Sequence, residues 1–203
     1  MHKCNLCEKQ GFRFERKYRP EEYIEGYAES PVWIVGLNPA HEKDYIDEKT
    51  ADEVARDLIE IKLSSKYFRD FRGVSLSLFE AIGKEGGVAH TDIVKCFGRS
   101  FPKGKMGKTI TNNCQDYLRS QIQRYKPKLI ICNGSRVSDY IGGVLQNPGK
   151  MKEQETSYIC SKDGYRVCVV LSGFLGRIDR HARRRLGAEI HLRMEELGIS
   201  IDK

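Results

Sequence analysis

The stretch Val32-Trp33-Ile34-Val35-Gly36-Leu37-Asn38-Pro39-Ala40-His41 sets the pattern for the chain. A short apolar run with no polar break suits a strand buried on both faces, because a strand with one wet face alternates. Gly36-Leu37-Asn38-Pro39 then ends the run in a turn. Val88 to Val94, Lys128 to Cys132 and Tyr165 to Leu171 are read as three more such strands. Helical patterns separate them. Thr50-Ala51-Asp52-Glu53 is a capping box ahead of Val54, Leu58 and Ile61. Leu76, Phe79 and Ile82 predict a short helix closed by Gly83. Further helices are predicted from Asn113 to Tyr125, from Arg136 to Leu145 with Ser135 as cap, and from Ile178 to Leu197. Strands alternating with helices imply an α/β fold, a four-stranded parallel sheet flanked by helices on both faces. The chain reads as a single domain over 1–203, with residues 1–30 a polar and aromatic extension docking onto it. In such sheets ligands bind beyond the carboxyl ends of the strands. The chemistry is therefore expected around Gly36 to His41, after Lys95, at Asn133, and at Ser172-Gly173-Phe174-Leu175.

Composition narrows the class. With 203 residues the chain can bury a core without disulfide staples. Apolar residues are 39% and charged ones 31%, a globular balance. No apolar run approaches the roughly 18 residues of a membrane span, and no apolar stretch follows Met1-His2-Lys3-Cys4 as a secretory signal requires. A cytoplasmic monomer is expected, its cysteines reduced. Lys and Arg number 35 against 28 acids, a net charge of +7 that suits a polyanionic partner. The excess is concentrated. Lys95, Arg99, Lys103, Lys105 and Lys108 occupy a glycine-rich stretch read as a loop, and Arg177, Arg180 and Arg184 share one face of the last helix while Ile178, Ala182, Leu186 and Ile190 line another. A basic loop beside an arginine face suits phosphate contact; a solvated helix face and a solubilising loop is the alternative.

Seven cysteines carry the second signal. Cys4-x2-Cys7 lies near the N-terminus, Cys96 at a strand end and Cys114 at a helix start. Four thiolates brought together suit tetrahedral zinc or an iron–sulfur cluster, and on the residues alone zinc is the commoner. Cys132, Cys160 and Cys168 sit in apolar segments and read as small buried hydrophobes.

The order of these pieces resembles the uracil-DNA glycosylase superfamily, above all its iron–sulfur branches. Those branches carry Gly-Glu-Ala-Pro-Gly or Gly-Leu-Ala-Pro-Ala after the first strand, then Thr-Asn-Val-Val-Lys-Cys, a basic loop, Cys-x-x-Tyr-Leu-x-x-Gln-Ile and a Lys-Pro-strand-Gly segment. This chain has Gly36-Leu37-Asn38-Pro39-Ala40, Thr91-Asp92-Ile93-Val94-Lys95-Cys96, Cys114-Gln115-Asp116-Tyr117-Leu118-Arg119-Ser120-Gln121-Ile122 and Lys126-Pro127-Lys128-Leu129-Ile130-Ile131-Cys132-Asn133-Gly134. The resemblance implies a 4Fe–4S cluster on Cys4, Cys7, Cys96 and Cys114, with structural zinc on the same four as the alternative. It implies a DNA glycosylase that flips a deaminated base such as uracil out of DNA and hydrolyses its glycosidic bond in base excision repair. A catalytically altered DNA- or lesion-binding member of the fold is the alternative function.

The roles follow the matching positions. Asn38 stands where superfamily members hold the water-positioning residue, and the Asn-Pro form is similar to the mismatch-specific and single-strand-selective branches. Gly36, Leu37, Pro39, His41, Tyr45 and Asn133 are expected to line the base pocket. Lys95, Arg99, Lys103, Lys105, Ser172, Gly173, Arg177 and Arg180 are expected to hold DNA, with Phe174 or Leu175 wedged into the stack. Two positions depart from the pattern. Asp92 replaces the asparagine that reads the base, so it shifts base preference, stays protonated, or serves as the catalytic carboxylate; the last is the reading adopted. The His-Pro-Ser motif after the fourth strand is absent, Leu171-Ser172-Gly173 standing there instead.

Overall fold

The computed structural model describes residues 1–39, 46–47, 49–98, 100–146, 155–162 and 164–201. His41, Tyr45 and Arg99 lie outside them. In chain order the elements are β1 (His2–Cys4), β2 (Phe14–Arg16), β3 (Val32–Gly36), β4 (Ile46–Asp47), α1 (Ala51–Ser64), α2 (Lys66–Arg69), α3 (Leu76–Ala81), β5 (Val88–Asp92), α4 (Gly104–Tyr125), β6 (Leu129–Cys132), α5 (Ser135–Val144), β7 (Ser157–Lys162), β8 (Tyr165–Val170) and α6 (Arg180–Glu196). The main sheet runs β5-β3-β6-β8-β7, and β1, β2 and β4 form a small second sheet.

The four expected strands are present and mutually parallel. Their side chains divide by parity, as the two-residue period of a strand requires. Trp33, Val35, Ala89, Ile130 and Val169 pack with α4, α5 and the aromatic N-terminal segment. Val32, Ile34, Val88, Ile131 and Val170 pack with α1, α3 and α6. Cys132, Cys160 and Cys168 are buried among them as expected. The short strands β1, β2 and β4 escaped the sequence reading, as did one strand of the main sheet, which has five strands instead of four. β7 pairs antiparallel with β8 as a hairpin edge; Ile159 is exposed, and among the strand's described side chains only Cys160 is buried, so no apolar run marks it.

The helix boundaries correct two expectations. α4 starts at Gly104, so Lys105 and Lys108 are helical and the basic stretch is not all loop. Gly107 permits this, because a Cβ there would lie 2.4 Å from the Pro102 carbonyl oxygen. α6 starts at Arg180 rather than Ile178, since Asp179 Oδ1 accepts from the amides of His181 and Ala182 at 2.7 and 2.8 Å. Arg177 therefore sits in the preceding turn. The Thr50 capping box forms as read, Glu53 Oε2 accepting from the Thr50 amide at 2.7 Å. Among the described residues no helix is long and apolar enough to cross a membrane.

The N-terminal segment docks on the free edge of β5. Glu25 and His90 exchange both backbone hydrogen bonds at 2.8 Å, and Arg13 and Phe97 pair similarly. Edge strands covered in this way are protected from pairing with other chains. Arg16 is buried there, its guanidinium 4.9–5.4 Å from the ring centres of Phe14, Tyr18 and Tyr23.

Two glycine substitutions test this packing with opposite signs. In α6, a Cβ on Gly187 would stand 2.0 Å from the Val74 carbonyl oxygen, whereas one on Gly142 in α5 meets nothing within 4 Å. Gly187→Ala should lower stability by about 1–3 kcal/mol, and Gly142→Ala should raise it by about 0.5–1 kcal/mol. Denaturant midpoints of the two variants against the parent check both signs.

Candidate active site

Parallel strands that stop at one level deliver their last residues to one place. Gly36 pairs with Asp92 across β3 and β5, and Asn133 follows β6 beside them, its amide donating to Val35 O at 2.9 Å. By strand parity Gly36, His90 and Asp92 all point to the face shared with α2. Gly36 is required for what happens there. A Cβ on it would lie 2.2 Å from Asp92 Oδ1, 2.9 Å from the Tyr67 hydroxyl and 3.2 Å from His90 Nε2. Three polar groups thus converge over a backbone with no side chain.

The groups are linked. His90 Nδ1 is 2.5 Å from Glu25 Oε2, and His90 Nε2 is 3.2 Å from the Tyr67 hydroxyl and 4.0 Å from Asp92 Oδ1. The Tyr23 hydroxyl donates to Asp92 Oδ2 at 3.4 Å. Glu25, His90 and Asp92 are nearly inaccessible to solvent. Burial raises the Asp92 pKa, and Glu25 adds to it against the opposing pull of His90 and Lys95. Burial alone would drive His90 toward its neutral form, but Glu25 and Asp92 outweigh it and its pKa is raised. Burial also pushes the Tyr23 and Tyr67 hydroxyls well above the usual phenol range, so both keep their protons.

The structure brings together only part of the set read from the sequence. Asn38 Nδ2 donates to the carbonyls of Pro39 and Gly98 at 3.0 and 3.2 Å, tying the loop after β3 to the loop after β5. Leu37 is half-buried and Pro39 buried. Asn133 Oδ1 accepts from the Leu175 amide at 3.0 Å, while its buried Nδ2 has no hydrogen-bond partner among the described residues. Lys95 is a correction: it is fully buried and turned away from any DNA face. Its Nζ donates to Thr91 Oγ1 at 2.6 Å and Gln121 Oε1 at 2.7 Å, on the opposite side of the sheet from Asp92. Ser172 is a second correction, because its hydroxyl contacts the carbonyl oxygens of Cys132 (2.7 Å) and Gly173 (2.9 Å) instead of facing outward. Lys103, Lys105, Arg177 and Arg180 are exposed, and Gly173 is half-buried. Of the two proposed wedges, Phe174 is 40% exposed and Leu175 is buried. A cavity of about 240 Å³ lined by Ile122, Val144, Leu145 and Val167 involves none of these residues.

Glu25, His90 and Tyr67 were not anticipated. His90 and Asp92 stand two apart in a buried strand, which alone places both on one face. Glu25 carries no such signal, being 65 residues away from its partner.

The four cysteines named from the sequence do gather. Their thiols contact one another in the order Cys4, Cys96, Cys114, Cys7, and all are buried. Hydrogen bonds from Cys7 and Cys96 pull Cys114 down to about 3, and one from Cys96 takes Cys4 to about 6. Cys7 and Cys96 are pushed up in turn, as the donors of those bonds. The Leu6 and Lys95 amides and the Tyr117 hydroxyl also donate to these sulfurs, and Asn113 Nδ2 is 3.4 Å from Cys7 Sγ. Among the described residues no three or more His, Cys, Asp and Glu side chains form a ready cage for a single ion. The donor set itself fits a thiolate-bound group, since it favours the charged form of sulfur.

A family profile described as the uracil DNA glycosylase superfamily matches residues 24–172. The chain belongs to this superfamily. The match includes β3 to β8 together with Glu25, His90, Asp92 and Asn133, and leaves out Cys4, Cys7 and α6. No curated protein matches the chain in a sequence search. The uracil-DNA glycosylase superfamily is one of DNA glycosylases, hydrolases acting on DNA in repair.

Asp92 gives this site a pH signature. A carboxyl whose pKa is raised by folding contributes stability below its unfolded value, about 3.9, and that contribution is lost as pH rises through the folded value. Asp92→Asn should therefore be more stable than the parent at neutral pH, and the two should converge below about pH 4. Thermal unfolding across that range measures the difference.

Proposed function

We propose that this chain is a DNA glycosylase that hydrolyses the N-glycosidic bond of uracil or another deaminated base. The observation that carries the reading is the convergence of Asp92, His90 and Tyr67 over Gly36, with Asn133 at the neighbouring strand end, in a superfamily member. A base rotated out of the duplex needs a dry pocket with donors and acceptors for its edge. Uracil presents O4 as acceptor and N3–H as donor. A carboxyl that keeps its proton offers one O–H donor and an acceptor oxygen, the same pair as an amide. The raised pKa of Asp92 supports this base-reading role over that of catalytic carboxylate. Asn133 Nδ2 supplies a further donor, and Asn38 orients the attacking water.

The exposed cations flank this end of the sheet. Lys103 and Lys105 lie at the start of α4, which has no acidic residue in its first turn and no side-chain cap, leaving its amides to an anion. Arg177 and Arg180 stand after Phe174, whose exposed ring would wedge into the stack left by a flipped base. The partner is DNA carrying the damaged base.

Cys4, Cys7, Cys96 and Cys114 would hold a 4Fe–4S cluster, with zinc on the same four as the alternative. A bound cluster supplies a structural clip joining the N-terminal segment, the loop after β5 and α4, as well as redox-active iron. Protein purified without oxygen should show the broad visible absorption of such a cluster, lost in Cys96→Ser. A colourless protein containing zinc would favour the alternative.

Base release from oligonucleotides bearing uracil, hypoxanthine or xanthine, single- and double-stranded, tests the activity. Asp92→Ala should slow release by about tenfold or more, while Asp92→Asn should retain uracil release. A loss in Asp92→Asn as large as in Asp92→Ala would make Asp92 the water-activating carboxylate. The inward Ser172 favours one further reading, a lesion binder with altered catalysis, since Leu171 to Gly176 send no titratable group into the pocket. Tight binding of these oligonucleotides with no abasic product would identify it.

A further inference from the structure

We infer that Glu25, His90 and Tyr67 form a relay that presents the Tyr67 hydroxyl to the base as it departs, an inference that rests on the glycosylase reading above. Hydrolysis forms a bond from the water oxygen to C1′ and breaks the C1′–N bond, whose electron pair leaves with the base. The charge arriving on the base has to be met inside the pocket. The loop after β8 has nothing to meet it: Ser172 is turned inward, Phe174 is apolar, and Arg177 and Arg180 are exposed.

The opposite wall does. Glu25 Oε2 lies 2.5 Å from His90 Nδ1, which leaves Nε2 aimed at the Tyr67 hydroxyl 3.2 Å away. The backbone bonds between Glu25 and His90 fix this pair independently of their side chains. Tyr67 is held by edge contacts to Phe68 and His90, with ring centres 5.0 and 5.3 Å away, and lies 6.1 Å from Phe174. It is half-buried where Glu25 and His90 are enclosed, so it is the end of the chain that a ligand reaches. Gly36, having no side chain, lets this hydroxyl and Asp92 Oδ1 approach its Cα together.

The protons balance. Tyr67 donates its O–H to the departing base, His90 passes the Nε2 proton to Tyr67, and the neutral imidazole remains against Glu25. Solvent takes the proton of the attacking water and restores that of His90. The groups facing His90 are Glu25 from the docked segment, Tyr67 and Phe68 from α2, and Asp92 from its own strand, while the Lys95 charge acts from across the sheet and lowers its pKa. With Asp92 protonated, Glu25 is the anion that holds the imidazolium, by its charge and by its hydrogen bond to Nδ1. Tyr67 is the catalytic residue here, with Glu25 and His90 positioning it.

The experiment is single-turnover base release by the full chain from a uracil-bearing oligonucleotide, with unfolding curves confirming that each variant folds. Tyr67→Phe keeps the ring and should lower the release rate by about tenfold or more with DNA affinity unchanged. Glu25→Gln should move the alkaline limb of the rate profile to lower pH, and His90→Gln should abolish that limb. A merely structural role for these residues would not move the profile. A working parent with an equally fast Tyr67→Phe, or an unmoved limb in Glu25→Gln, overturns the relay alone. A parent that releases no base from any substrate overturns the glycosylase reading and the relay together.

Discussion

The pairing of Glu25 with His90 is the contact on which the rest of this structure turns. It is made twice, by backbone bonds on both sides at 2.8 Å and by side chains at 2.5 Å. The backbone half closes the open edge of β5. The side-chain half places an anion beside a buried imidazole, where loss of one partner typically costs about 3–5 kcal/mol because the other is left uncompensated. Once this pair forms, the segment before it lies along the sheet and reaches Cys96 and Cys114 with its own two thiols.

β5 is a wall shared by two polar systems. Its even residues, His90 and Asp92, face Gly36 and Tyr67. Thr91, between them, faces the other way, where it meets Lys95 and Gln121. Lys95 lies between the systems: burial lowers it to about 7 against the pull of Asp92 and Cys114. A strand this dense in titratable groups is costly to bury, and the neighbours of each group offset that cost. Tyr23 spans the arrangement, with its hydroxyl on Asp92 and its carbonyl oxygen accepting from Thr91 and Gln121.

The four parallel strands were legible because a strand buried on both faces writes itself as an apolar run. β7 was not, because an edge strand with one exposed face dilutes that signal; the Asp163-Gly164 turn pair was the cue available for its hairpin. The cysteine set was legible as a motif, and the sulfurs do meet. Lys95 and Ser172 were misplaced for one reason. Residue type suggested phosphate contact, but strand parity and the loop's inner hydrogen bonds decided which way each side chain turned. His90 was within reach of parity reasoning, whereas Glu25 depends on a long-range docking that no local pattern encodes.

That docking is also a long-range event in folding. The N-terminal segment touches the rest of the molecule across sequence separations of 65 residues at His90 and 106 at Asn113. Loop-closure entropy makes such contacts the latest to be rewarded during folding. The sheet closes across comparable distances, since β3 pairs with β6 through Val32 and Leu129. Scaffold and pocket wall are therefore subject to the same entropic delay, and neither is complete until the first thirty residues have met strands far along the chain.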